Sequence, residues 1–379
     1  MSDTNKRANE RATERAAERD GDHVLARIDR DAALGRRAFV GGAATALAAG
    51  ATLLRSNVAE AIPEKSFAAT PPAGFVPMAA PGRIVKVTKK DSLQTNQIFP
   101  KEDDAKAMLT RAMTEFTGKA DLVESVKLFV HPDDIVCVKV NGIAEKNFGT
   151  NKELILPLLD AMIAAGVKPE NITVLEQYGS FLAGTRVNQG NVPKGVKVSV
   201  HANNDATMPE RVIPNTGGTK TKFVRVLTES TAVINFSLIK DHSICGYTGL
   251  LKNMSHGCQI FPHYFHGHHA SPQIAQLYAQ DVIKSRVRLN ITDGFNIMAH
   301  GGPKLTSTRD GVIHERVYVS TDPVAMDALG WELVDKARAD FKLKSLEGDG
   351  RAPAYIKAAA DLGLGIAERS QIQVKEVTI

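Results

Sequence analysis

Residues 135–175, IVCVKVNGIAEKNFGTNKELILPLLDAMIAAGVKPENITVL, decide the fold class. Ile135 to Val140 is a short run rich in β-branched residues. Lys152 to Ala165 carries apolar residues at helical spacing, and Ile172 to Leu175 is a second strand-like run. Strand, helix and strand in this order form a βαβ unit, which predicts parallel strands joined by a right-handed crossover. Working outward, Ile84 to Val87 reads as a strand and Lys101 to Phe116 as a helix. Further strands are expected at Val196 to Val200, Val224 to Leu227, Ala232 to Ile239, Val287 to Ile291 and Val317 to Val319, with helices near 272–285 and 323–340. The expected fold is α/β: a mostly parallel sheet flanked by helices, with the site at the carboxyl ends of the strands.

The chain has 379 residues, 43% of them hydrophobic and 23% charged, enough apolar material for one large core or two smaller ones. A net charge of +5 spread along this length makes no dense basic stripe, so nucleic acid is not an expected partner. Three cysteines exclude a dense disulfide scaffold, although one bridge, Cys245 to Cys258, can form.

The first 34 residues are polar and Ala-rich, alternate Arg with Glu or Asp, and offer no apolar face to bury. Gly35-Arg36-Arg37-Ala38-Phe39-Val40 follows, then an uncharged Ala/Gly/Leu stretch to Leu54 and the small-residue site Ala59-Glu60-Ala61. Basic region, apolar region and cleavage site in that order make residues 1–61 a twin-arginine-type signal peptide, with the twin-arginine translocase as partner during export and a periplasmic destination. The uncharged run is about 17 residues, short for a stable membrane span. Residues 62–82, with five prolines, read as a linker, and 83–379 as the α/β domain.

In open parallel sheets the ligand site lies beyond the carboxyl ends of the strands, so the polar residues that directly follow each apolar run are the informative ones. They are Asn141, Glu176, the triplet Lys240-Asp241-His242, Thr292-Asp293-Gly294 and Thr321-Asp322-Pro323. Asp322 before Pro323 also makes a good helix cap, and Asp293-Gly294 a good turn. Three consecutive ionisable residues at Lys240 are harder to place in a core. The stretch from His256 to His269 holds five of the eleven histidines and Cys258. Imidazole and thiolate are ligands for zinc, iron or copper, and the spacing matches no closed structural zinc pattern, so an open site is expected over a structural one. A solvated loop, or histidines that donate hydrogen bonds to an anion, account for the same residues.

With these residues in view, the chain resembles the family known as domain of unknown function 362, in its twin-arginine-exported branch. The likeness rests on Val138-Lys139-Val140-Asn141, on Asn235 through Lys240-Asp241-His242 to Gly249 and Lys252-Asn253, on His266-Gly267, on Ile291-Thr292-Asp293-Gly294 with Gly301-Gly302-Pro303, and on Thr321-Asp322-Pro323-Val324-Ala325-Met326-Asp327. The resemblance implies a fold and a site position but no reaction. Some relatives carry ferredoxin-like cysteine modules; with no Cys-x-x-Cys series here, no iron–sulfur cluster is expected. The expected site therefore holds Asn141, Lys240, His242, Lys252, Asn253 and Asp322 as catalytic groups, with His263, His266, His268 and Asp293 as ligands of one divalent metal. It would act on a small anionic substrate by hydrolysis, isomerisation or oxidation. The rivals are a non-catalytic periplasmic protein that captures a metal or an anion, and an assembly factor using the histidine loop as a surface.

Overall fold

The structure is a computed structural model and describes residues 65–304 and 311–379; the signal peptide expected at 1–61 lies outside the described residues. Eleven strands are described: β1 (Arg83–Thr88), β2 (Val136–Lys139), β3 (Ile172–Glu176), β4 (Lys197–Val200), β5 (Arg211–Val212), β6 (Lys220–Thr221), β7 (Ala232–His242), β8 (Gly246–Thr248), β9 (Val287–Met298), β10 (Gly311–Ser320) and β11 (Gln373–Thr378). Nine of them form one sheet in the order β11-β1-β10-β9-β7-β2-β3-β4, with β8 paired to β7, while β5 and β6 make a separate ribbon. From β4 through β3, β2 and β7 to β9 every pairing is parallel. β10 enters antiparallel to both β9 and β1, and β11 closes the edge parallel to β1. The sheet is thus mixed and mostly parallel, flanked by helices, as the sequence leads one to expect.

Both faces of the sheet are covered, which is why the central strands read as nearly unbroken apolar runs. Successive side chains alternate between two cores. Val233 and Ile239 of β7 join Cys137, Leu250 and Leu329 on one face, whereas Ile234 and Phe236 join Val138, Leu158 and Met108 on the other. Cys137, Cys245 and Cys258 are buried free thiols, so the bridge that the spacing allows between Cys245 and Cys258 is not formed.

Four expected elements differ in informative ways. Val224 to Leu227 is not a strand: Val224 is extended, with its N–H on Cys258 O, and it opens the Arg225–Glu229 helix. The helix expected at 272–285 is two, Gln273–Tyr278 and Asp281–Lys284, separated by the extended Gln280. β7 and β9 both run past their apolar residues, because β8 folds back onto Lys240-Asp241-His242 and β10 onto Thr292 and Asp293. Residues 66–82, read as a linker, lie along the domain: Phe67 N–H donates to Asp281, Ala69 N–H to Ser285, Ala80 N–H to Thr321 and Gly82 N–H to Asp322. Side-chain acceptors supplied by the domain, together with the Met78 N–H on Leu128 O, hold this segment in place.

Candidate functional site

The carboxyl ends of β2, β3 and β7 converge on a buried polar network centred on Asn253, in the Leu250–Ser255 helix. Asn253 Nδ2 donates to Asn235 Oδ1 and Phe236 O, both at 2.8 Å. Its Oδ1 accepts from Lys139 Nζ at 3.3 Å and Asn141 Nδ2 at 3.2 Å. Lys139 Nζ also donates to Glu176 Oε1 at 3.1 Å, and Glu176 Oε2 takes the Gly142 N–H. A buried ion pair is tolerated only when its remaining lone pairs and protons find partners, and here the asparagines supply them. Asn141 Oδ1 stays without a donor, although the residue is 8% exposed. Gly142 has no room for a side chain, since a Cβ would lie 1.8 Å from Phe181 O.

The helix that carries Asn253 is held at its start by Asp327, whose carboxylate accepts from Leu250 N at 2.7 Å and Leu251 N at 3.1 Å. That contact fixes Lys252 and Asn253 against the strand ends. Lys252 Nζ meets His242 Nε2 at 2.9 Å, and the His242 ring stacks on His266, centroids 5.7 Å apart. His256 meets the edge of His266 at 4.8 Å. Lys240 and His242 are 2% and 4% exposed, while Lys252 and His266 are half-buried and open this group to solvent.

Donors and acceptors fix the protonation of these groups. Ile244 N–H donates to His242 Nδ1 at 3.1 Å, so the neutral ring carries its proton on Nε2. With that tautomer Nε2–H faces the Lys252 nitrogen, a contact that favours the free amine over the ammonium. His256 donates from Nε2 to Phe265 O while Nδ1 lies 3.0 Å from Ser255 Oγ. His266 donates from Nδ1 to Pro262 O, which leaves a lone pair on its Nε2.

Burial lowers the pKa of Lys252 and holds those of His242 and His256 well below the usual imidazole value; burial and then Lys252 take His266 down to about 3. Lys240 is pushed down to about 7, by burial first and by Lys252 second, with Cys245, Glu176 and Asp241 pulling the other way. Among the described residues no acceptor meets Lys240 Nζ, and no carboxylate pairs with Lys240 or Lys252. Asp241, between Lys240 and His242, turns the other way and receives Arg351 Nη1 at 2.8 Å and the Gly302 N–H, which makes it a structural anchor.

Asn141, Lys240, His242, Lys252, Asn253 and His266 are therefore brought together. Asp322 is not. β10 runs antiparallel, so its carboxyl end lies at the opposite end of the strands, where Asp322 caps the Pro323–Asp340 helix through Val324 N and Ala325 N and also receives Gly82 N and Ile366 N. The expected metal donors do not gather on one ion. Asp293 accepts from Asn151 N at 2.7 Å and Asn151 Nδ2 at 2.9 Å, His263 packs on Tyr264, and His268 is exposed. Among the described residues no three His, Cys, Asp or Glu side chains form a ligand group. The site also contains residues that the strand-end rule does not select. Lys139 precedes the end of its run, and His256 looked like one loop histidine among five. His201, which reaches Gly257 O at 3.1 Å, directly follows the run Val196 to Val200, so the strand-end rule applied to that run does find it.

The chain belongs to the family described as Domain of unknown function (DUF362), whose model matches residues 136–332. That span contains every residue of the network from Lys139 to Asp327. No curated protein matches the chain.

Proposed function

We propose that this chain is an enzyme that binds a small anion at Lys240, Lys252, His242 and His266 and moves a proton on it. The observation that carries the reading is the His242–Lys252 contact, in which Ile244 N–H fixes the histidine tautomer and thereby favours the lysine as a free amine. Two buried amines without a countercharge shed protons to avoid the cost of desolvation, and an anion that enters restores the missing charge. A carrier would hold its lysines as permanent cations in ion pairs; an amine poised near neutrality suits acid–base work. Lys240 or Lys252 accepts a proton from the ligand, and the resulting ammonium stays paired with the anion. Asn141 Oδ1 offers an acceptor for a ligand hydrogen. The reaction class that fits is isomerisation or lytic cleavage begun by proton abstraction. The twin-arginine-type leader read at Arg36-Arg37 supports a site of action outside the cytoplasm.

The reading is tested by isothermal titration of malonate and of inorganic phosphate into the wild type and Lys240→Met at pH 7.5. Saturable binding of at least one anion, weakened about tenfold or more in the variant, is expected. Equal binding in both proteins would overturn it.

A further inference from the structure

Lys252 is half-buried beside His242, and a lysine amine there is a nucleophile as well as a base. We infer that Lys252 forms an imine with the carbonyl carbon of a small anionic aldehyde or ketone, a 2-oxo acid being the simplest class. This inference rests on the anion-binding reading and names its substrate class and its chemistry.

Three observations carry it. First, the hydrogen-bond pattern of His242 favours Lys252 as the unprotonated amine, the form that attacks a carbonyl. Second, Lys252 is half-buried where Lys240 is nearly closed off, so Lys252 is the amine that an entering ligand meets. Third, the groups facing Lys252 are neutral or cationic: His242, His256 and His266 around it, Lys240 beside it and the buried Cys245 thiol below. A second amine next to an imine-forming lysine, once it is protonated, disfavours a second positive charge there and holds the carboxylate of the ligand. The helix start fixed by Asp327 keeps the reacting nitrogen in place.

The step balances without any outside reagent. The Lys252 nitrogen lone pair attacks the carbonyl carbon as the carbon–oxygen π pair moves to oxygen, and the proton that the nitrogen then releases to His266 Nε2 is handed on to that oxygen to give a carbinolamine. The nitrogen lone pair expels the hydroxyl, which leaves as water with a proton from the Lys240 ammonium. One water is released and a carbon–nitrogen double bond replaces the carbon–oxygen one. The protonated imine then draws electrons from the adjacent carbon and eases removal of a proton or carboxylate there.

The test is reductive trapping on the full mature chain. Glyoxylate or pyruvate is added with sodium cyanoborohydride at pH 7.5, followed by intact-mass measurement and peptide mapping. One adduct per chain on Lys252 is expected, formed at least about tenfold faster than on the exposed Lys357, whose amine pairs with Asp361. Lys252→Arg keeps a long cationic side chain and should lose the adduct while retaining the circular dichroism of the wild type. His242→Phe should slow labelling, because Lys252 then lacks the donor that favours its free amine. Adducts spread over surface lysines, or an unchanged rate in Lys252→Arg, would overturn the inference. Saturable malonate or phosphate binding without trapped adduct overturns the imine and leaves the anion reading standing; no binding by any of these anions overturns both.

Discussion

Replacing Lys240 by Met removes a buried amine whose pKa is held at about 7 against an ordinary 10.5. The sign follows from linkage. The folded value is depressed, so the unfolded chain binds the proton more tightly, and stability present above pH 10.5 is lost as pH falls through 7. A difference of about 3.5 units corresponds to a plateau of about 5 kcal/mol against folding, reached below about pH 6, of which about 2 kcal/mol develops between about pH 9 and pH 7. Met matches the length of the stem and needs no solvation, so Lys240→Met escapes this penalty. Urea denaturation of both proteins at pH 9, 8, 7 and 6 measures it directly. The stability of the variant relative to wild type should rise by about 2 kcal/mol from pH 9 to pH 7 and then level off. A relative stability independent of pH would refute the claim that burial holds Lys240 near neutrality. Saturating malonate should flatten the wild-type curve, because the anion makes the ammonium welcome.

Other outcomes follow from the same geometry. Asp322→Ala unties four backbone N–H groups and should cost about 2–4 kcal/mol in stability without altering malonate binding, which separates a helix cap from a site residue. Gly142→Ala drives a methyl group into Phe181 O and should cost at least about 3 kcal/mol by thermal or chemical unfolding, with loss of anion binding through displacement of Asn141. Asn253→Leu leaves Lys139 and Asn141 without their shared acceptor and should weaken anion binding more than tenfold, read by calorimetry. Arg36→Lys with Arg37→Lys should trap the precursor in the cytoplasm, as read by cell fractionation.

Much of the site is legible in the sequence because the parallel half of the sheet obeys a simple geometric rule. Residues just past β2 and inside the end of β7 face the same crevice, and that rule finds Asn141, Lys240 and His242 without knowledge of any contact. It fails at Asp322 for a physical reason: a local apolar run does not encode strand direction, and β10 runs the opposite way. Asp293 follows its run of apolar residues too, but β9 continues through it into the hairpin with β10, and Asn151 takes its carboxylate. Val224 to Leu227 has strand composition, yet a short helix forms there because Val224 and Leu227 both bury in the core that Leu250 and Met254 complete. The Lys139–Glu176 pair is invisible in one dimension, since 37 residues separate its partners and neither sits beside another charge. The tautomer of His242 that favours a free amine at Lys252 depends on a backbone N–H two residues away, a contact no composition or spacing argument supplies.

Proton uptake on anion binding tests the central claim most directly. Malonate is titrated into the wild type at pH 8 in two buffers of different ionisation enthalpy, and the number of protons taken up is read from the difference in observed heat. Uptake of about one proton per bound anion is expected, as Lys240 recharges beside its new partner. Binding with no proton uptake would mean that the lysines are already cationic in the empty site, and would contradict the account.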